Sequence, residues 1–257
     1  ATGSVTVTFT ATDECGNTES TSATFTIQDT TAPTITISAN DLTVECDGSG
    51  NVAELNAWLA ANGGASASDS CSSVTWSNDF SAVADACGAT GSVTVTFTAT
   101  DECGNTESTS ATFTIQDTTA PTITISANDL TVECDGSGNV AELNAWLAAN
   151  GGASASDSCS SVTWSNDFTS VSAACGATGS VTVTFTATDA CGNTESTSAT
   201  FTIQDTTAPT ITISANDLTV ECDGSGNVAE LNAWLAANGG ASASDSCSSV
   251  TWSNDFS

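Results

Sequence analysis

The amino-acid sequence repeats itself almost letter for letter, and that repetition limits what the chain can fold into. Ala1-Thr2-Gly3-Ser4-Val5 recurs at Ala89-Thr90-Gly91-Ser92-Val93 and at Ala177-Thr178-Gly179-Ser180-Val181, an offset of 88 residues at each step. Little changes between copies: Glu14 and Glu102 become Ala190, and Ser81–Asp85 becomes Thr169–Ala173. A unit of this length exceeds the roughly 20–50 residues of a solenoid repeat. It is long enough to enclose a small core of its own, so beads on a string is the expected architecture.

The best boundary is Asp29-Thr30-Thr31-Ala32-Pro33, which recurs at Asp117 and Asp205. Proline breaks a sheet interior, and this segment lies between two strand-like runs. The chain is therefore phased as the C-terminal part of one repeat (1–28), two complete repeats (29–116 and 117–204) and the N-terminal part of a fourth (205–257).

Alternation of apolar and polar residues predicts the strands. Thr34–Ser38 puts Ile35 and Ile37 on one face, and Leu42–Cys46 does the same with Leu42, Val44 and Cys46. Val74–Phe80 offers Val74, Trp76 and Phe80. Val93–Thr100 turns Val93, Val95, Phe97 and Ala99 inward and a row of threonines outward, and Ala111–Gln116 offers Ala111, Phe113 and Ile115. One helix interrupts them. Asn51 and Glu54 have capping-box spacing, Val52, Leu55, Trp58 and Leu59 follow with helical spacing, and Asn62-Gly63-Gly64 ends the run. The expected fold is mainly β: tandem immunoglobulin-like sandwiches, each with one short helical insertion.

Charge narrows the function. The chain has 30 acidic residues and no Lys, Arg or His, a net charge of -30. Side-chain salt bridges cannot form, so each carboxylate must meet water, a backbone N–H or a bound cation. Nucleic acid is excluded as an electrostatic partner, and docking on anionic lipid is disfavoured. With no Tyr either, most general bases and oxyanion supports are missing, so an enzyme is not expected. No run approaches the roughly 18–20 apolar residues of a membrane span. A chain without Met points to an initiator, and any export signal, outside these residues.

Eleven cysteines without histidine favour disulfides over zinc and an extracellular, cell-surface setting. Each complete repeat holds four, which allow three connectivities. If the strands at 74–80 and 93–100 are antiparallel neighbours, their adjoining ends bring Cys71 to Cys103. That leaves Cys46 for Cys87, and the next repeat gives Cys159–Cys191 and Cys134–Cys175. Cys15, Cys222 and Cys247 are left over from partial repeats.

The run Asp29–Pro33, together with Val95-Thr96-Phe97-Thr98-Ala99-Thr100-Asp101 and Cys103-Gly104-Asn105, resembles the hyalin repeat, an immunoglobulin-like adhesion module. Val44-Glu45-Cys46-Asp47-Gly48 and the Trp58 helix are similar to repeats in giant surface adhesins of gliding Gram-negative bacteria. That resemblance implies export by the type IX system and long cell-surface filaments. The helix and the four cysteines depart from the animal module, so no animal ligand is carried over. Asp29-Thr30-Thr31 also resembles the Asp-Thr-Xaa acceptor for O-glycans in the same bacteria, which makes Thr30, Thr118 and Thr206 candidate sites of a glycoprotein.

In a sandwich, the loop after the strand at 93–100 and the loop before Val74 both lie at the N-terminal end of the domain. Asp29, Asp69 and Asp101 are then expected to meet at the junction and hold calcium, as are Asp117, Asp157 and Asp189. The competing reading is that these residues cap turns and face water. Asp47-Gly48-Ser49-Gly50-Asn51 has calcium-loop spacing, but Val52 and Trp58 stand where an EF-hand needs Gly and Glu, so it reads as a polar turn. Trp58 and Trp76 face inward as core, not as a sugar platform.

The expected function is a structural stalk or filament segment of an extracellular adhesin. It extends a binding tip and is stabilised by disulfides and calcium, with neighbouring repeats as partners and any surface or glycan ligand held by parts outside these residues. The alternatives are a repeat-borne glycan or ice module acting by avidity, or a subunit of a multi-chain fibre or layer. The row Thr94, Thr96, Thr98 and Thr100 carries the ice reading.

Overall fold

A computed structural model describes residues 2–257; Ala1, the first residue of the initial partial repeat, lies outside them. The chain is mainly β and divides into two compact units. One runs through Thr119 and also takes in Ser158–Ser161; the other comprises Ala120–Asp157 and Val162–Ser257.

In the first unit, β1 (Gly3–Thr12) and β2 (Thr18–Ile27) form an antiparallel hairpin. The complete repeat then contributes β3 (Thr34–Ile37), β4 (Leu42–Glu45), α1 (Val52–Ala60), β5 (Ser66–Ser68), β6 (Val74–Asn78), β7 (Ala84–Asp85), β8 (Gly91–Asp101) and β9 (Thr106–Gln116). The main sheet has the order β4-β9-β8-β6, with β7 also pairing to β8. Only β4 runs parallel to its neighbour, β9. A second sheet consists of β3 and β5.

Alternation works as expected on the long hairpin. Val95, Phe97, Ala99, Ala111, Phe113 and Ile115 point into the core and are buried. The opposite face carries hydroxyls that bond to one another across the strands: Thr94 with Thr112 at 3.0 Å, and Ser110 donating to Thr96 at 3.2 Å. A threonine row thus stabilises its own sheet.

The helix is part of the core, not an appendage. Leu55 and Trp58 are buried against the main sheet, and the Trp58 ring meets Phe97 edge-on at 5.2 Å and Phe113 at 5.6 Å. The indole N–H donates to Asn40 O at 3.0 Å, so the buried ring keeps no unmet donor. After the helix, Gly63 has φ 65° and lies against the Phe97 ring, where a Cβ would come within 3.0 Å. The helix covers one face of the main sheet, and β3 lies beside β9.

Two local expectations need correction. Ile37 is exposed, because a register shift between Ile35 and Ile37 breaks the alternation against β5. Asn51 forms no capping box. It sits at φ 50° with its side chain turned back, Nδ2 donating to Glu45 O at 2.9 Å and Oδ1 accepting from Asp47 N at 3.2 Å. It ties the turn to β4 instead of capping α1.

The second unit repeats this plan with β10 (Thr122–Ile125), β11 (Leu130–Glu133), α2 (Val140–Ala148), β12 (Ser154–Ser156), β13 (Thr163–Asn166), β14 (Ser172–Ala173), β15 (Gly179–Thr188) and β16 (Thr194–Gln204). It then adds β17 (Thr210–Ile213), α3 (Val228–Ala236) and β18 (Ser242–Ser244). Here Leu218–Glu221 and Val250–Asn254 form no strand, although their sequences match β4 and β6. Strands β4 and β6 are hydrogen-bonded to β9 and β8, and residues 205–257 contain no counterpart of that hairpin. Identical sequence takes or refuses strand form according to its partner, which is the context dependence expected of β structure. No helix of the described residues is long and apolar enough to cross a membrane.

Candidate functional site

The sequence offers carboxylates no cationic side chain, and the fold meets many of them with backbone N–H groups. Asp79 Oδ1 accepts from Thr96 N at 2.7 Å, and Asp41 Oδ1 accepts from Thr112 N at 2.7 Å. Asp47 Oδ1 accepts from Ser49 N and Asn51 N, and the Asn51 N–H is the main reason its carboxyl sits below the usual range. In the other unit, Asp223 is drawn down to about 2, chiefly by the Ser225 hydroxyl. The segment at 47–51 is a self-satisfied turn.

The same pattern organises the linker after each complete repeat. Glu45, at the end of β4, accepts from Thr118 N at 2.6 Å and from the Thr118 and Thr119 hydroxyls. The Thr118 N–H is the leading cause that lowers the Glu45 carboxyl. Glu133 holds Thr206 and Thr207 likewise. Thr30, Thr118 and Thr206 are all exposed, but the hydroxyls of the last two are engaged by these glutamates.

Asp29 is met only in part by backbone donors. Asp29 accepts from Thr31 N through Oδ1, while its Oδ2 is buried and has no hydrogen-bond partner. Asp29, Asp69 and Cys71 each bring a ligand atom to within 4.8 Å of the others. Asp69 follows β5 and is anchored by Cys71 N and Ser72 N, both 2.8 Å from its Oδ1. The Cys71 N–H leads in holding its carboxyl below the usual range, against repulsion from Asp101. Asp101 ends β8 and is buried. Burial pushes its carboxyl up, but the Asn105 side chain and the N–H groups of Asn105 and Cys103 together outweigh that and hold it low. Asn105 Nδ2 also reaches Asp29 O at 3.3 Å, which ties the turn after β8 to the linker.

In the second unit, Asp205, Asp245 and Cys247 converge within the same 4.8 Å. The expectation had not extended to Asp205 and Asp245, although the repeat offset alone identifies them. Asp117 and Asp189 are buried and Asp157 is half-buried; Asp189 is bonded by Asn193 N and Nδ2 at 2.8 Å. The sulfur of Cys247 is tied up in a disulfide, so the ligand atoms shared by the clusters are carboxylate oxygens. Oxygen donors suit a hard cation such as calcium. A buried carboxylate oxygen with no donor and no basic residue in the chain fits such an ion.

The disulfides are not those expected. Cys46 bonds Cys159, and Cys134 bonds Cys247; each bridge spans 113 residues, longer than one repeat, with Cα atoms 6.0 Å apart. Cys46–Cys87, Cys134–Cys175, Cys71–Cys103 and Cys159–Cys191 are therefore not formed, and Cys103 and Cys175 keep free thiols. Cys87 and Cys191 are disulfide-bonded as well.

The physical reason is direction. Because β4 runs parallel to β9, Cys46 lies where β9 ends, and its N–H donates to Gln116 O at 2.7 Å. It does approach the turn at Cys87, with its sulfur 3.8 Å from Ala89 O, but it faces the incoming Ser158–Ser161. That segment docks through Cys159 O, which accepts from Ala89 N at 2.9 Å. Gly48 and Gly88 make room: a Cβ on Gly48 would strike Ser158 O, and one on Gly88 would lie 2.6 Å from Cys159 O. In the second unit Cys247 O accepts from Ala177 N at 2.8 Å, beside Gly136 and Gly176. Neighbouring β6 and β8 do pair as expected, Val74 opposite Asp101. However, Asp69 and Asp101 fold Cys71 and Cys103 into separate turns.

No protein-family model matches the chain, and no curated protein matches it. Among solved structures it is similar to the mouse clustered protocadherin PcdhgC3 EC1-3, at 11% identity over 80% of this chain and 77% of that one, with a TM-score of 0.28. It is also similar to Drosophila N-cadherin EC1-4, at 11% identity over 79% and 58%, TM-score 0.30. A third is the human desmocollin-1 ectodomain, at 9% identity over 86% and 50%, TM-score 0.22.

Proposed function

We propose that this chain is a load-bearing stalk or filament segment of an extracellular, cell-surface adhesin, phased in repeats that begin at Asp29, Asp117 and Asp205. The observation that carries the reading is the pair of bridges. Each joins a cysteine of one repeat to a cysteine of the next, and such a bond resists separation of repeats under tension. Disulfides of this kind persist in oxidising surroundings outside the cell. The resemblance to hyalin-type repeats of bacterial gliding adhesins, exported by the type IX system, agrees with this role, and Thr30, Thr118 and Thr206 are its proposed O-glycosylation sites.

Stretching single chains between their ends tests it. In the oxidised chain, load crosses from Cys46 to Cys159 and from Cys134 to Cys247, so the bridged residues stay folded or slack. Reduction should add on the order of 400 Å or more of extension, since one bridge spans 113 residues at roughly 3.3–3.6 Å each. Equal extension in both states would contradict the proposal.

Calcium is the proposed ligand of the junction acids: Asp29 and Asp69 with Asp101 beside them, their equivalents Asp117, Asp157 and Asp189, and Asp205 with Asp245. Bound calcium would supply the missing partner of Asp29 Oδ2 and stiffen the linker. At physiological ionic strength, where diffuse screening is already strong, calcium should raise the melting temperature and chelator reverse it. The response should shrink in Asp29→Asn/Asp205→Asn. An unchanged response in that variant would remove the site.

A further inference from the structure

We propose that each complete repeat carries a binding site for a neutral sugar, in a groove between β3 and the first half of β9. The polar groups of this groove stand on the core-facing side of the main sheet. Glu107 lies opposite Ala99 and Thr109 opposite Phe97, and both of those partners are fully buried. Residues directly opposite one another share a face. A carboxylate and a hydroxyl thus continue the row that Ala111, Phe113 and Ile115 form inside the core. At this polar end the row borders a groove of about 550 Å³, lined also by Pro33, Thr34, Ile35 and Ser38. The second unit has the same groove, about 440 Å³, with Glu195 and Thr197 in place of Glu107 and Thr109. There too the carboxylate stands opposite a fully buried alanine, Ala187. Each groove lies within one unit and one complete repeat, and both volumes are in the range of small-ligand sites.

The polar atoms of the groove keep bonding capacity to spare. Glu107 Oε1 accepts from Ser108 N at 3.1 Å, while no donor among the described residues meets its Oε2. Thr109 Oγ1 accepts from Ala39 N at 3.2 Å and keeps its proton to donate. The Thr34 and Ser38 hydroxyls engage no other group of the described residues, whereas on the outer face hydroxyls pair with each other, as Thr94 does with Thr112. These groups define the ligand. A chain with 30 acidic residues and no Lys, Arg or His has nothing to hold an anion there. A lysine or arginine side chain carries donors only, so it would meet the one carboxylate and leave the hydroxyl protons unused. A sugar hydroxyl both donates and accepts. Neighbouring sugar hydroxyls can donate to the Glu107 carboxylate and accept from Thr34, Ser38 and Thr109. Pro33 and Ile35 supply apolar surface for the C–H face of the sugar ring. A polysaccharide repeats its sugar, so weak grooves repeated along the chain gain by avidity. The site needs neither the bridges between repeats nor a bound cation.

The test is retention of the oxidised 257-residue chain on immobilised dextran, mannan and galactan, three neutral polysaccharides. Polygalacturonate and polylysine serve as the acidic and basic comparisons, and chelator is present throughout so that the junction acids play no part. The expected result is binding to at least one neutral polysaccharide, equal at low and high salt because no charge pair is involved, and none to polygalacturonate. Glu107→Ala/Glu195→Ala should weaken that binding by about tenfold or more, since hydrogen bonds to an ionised acceptor are the strong ones. Both side chains are exposed, so the variant should melt with the parent. Retention by none of the neutral polymers would overturn the proposal, as would retention that the double substitution leaves unchanged. Binding to polylysine alone, lost in salt, would mark charge attraction without a sugar site and count equally against it.

Discussion

Replacing Cys46 with serine should lower the stability of the first unit by about 4–5 kcal/mol, the chain-entropy value for closing a loop of roughly 100 residues. The Cys46–Cys159 bridge closes a stretch of 113 residues, so the unfolded ensemble it restricts is large. Cys159→Ser should cost the same, and the double variant no more than either alone, because one bond is being removed. Denaturant titration checks this. The pattern separates a bridge between repeats from one within a repeat: in the second case Cys87→Ser, and not Cys159→Ser, would share the loss with Cys46→Ser.

Trp58→Ala should cost about 3–5 kcal/mol, as large-to-small changes of buried aromatics do. The ring is buried, packs on Phe97 and Phe113, and donates to Asn40 O. Trp234→Ala provides the internal comparison. Its sequence surroundings are the same and its N–H also reaches a carbonyl, Asn216 O at 3.0 Å, but α3 has no buried residue because no hairpin covers it. In the single chain that change should cost a small fraction of the Trp58 loss. Equal losses would contradict the assignment of the Trp58 cost to its packing on Phe97 and Phe113.

The comparison of these two tryptophans also shows how far sequence reading reaches. The strands at Leu42, Val74 and Val93 were legible because apolar residues alternate there, and the helix because Leu55 and Trp58 share a face. Strand β5, a Ser-Ala-Ser run, and β7, Ala-Asp, carry no such alternation. Nor does the first half of β9, Thr106–Ser110, where Ser110 donates to Thr96 across the sheet. What fixes these segments is a partner strand, and a partner is invisible in a local pattern. Leu218–Glu221 makes the converse point: a legible strand pattern remains unformed where the partner is missing.

At the junction, sequence reasoning brought Asp29 and Asp69 into one neighbourhood with Asp101 through strand direction alone. It did not foresee that backbone N–H groups would satisfy Asp101 while leaving one oxygen of Asp29 without a donor. The cysteine pairing failed for a related reason. Treating each repeat as closed forces four cysteines to pair among themselves. The parallel β4 instead delivers Cys46 to the end of the repeat, and the glycines at 48 and 88 leave room there for Ser158–Ser161. The even spacing of cysteines hides this, because Cys71 and Cys159 are the same letter in the same motif.

Disulfides join cysteines of successive repeats, and mapping disulfide-linked peptides under non-reducing conditions tests this most directly. The shared sequence calls for cleavage at sites that differ between repeats, such as Ser81–Asp85 against Thr169–Ala173, or for fragments long enough to include them. The expected result is linkage of Cys46 to Cys159 and of Cys134 to Cys247. Linkage of Cys46 to Cys87, or of Cys71 to Cys103, would contradict it.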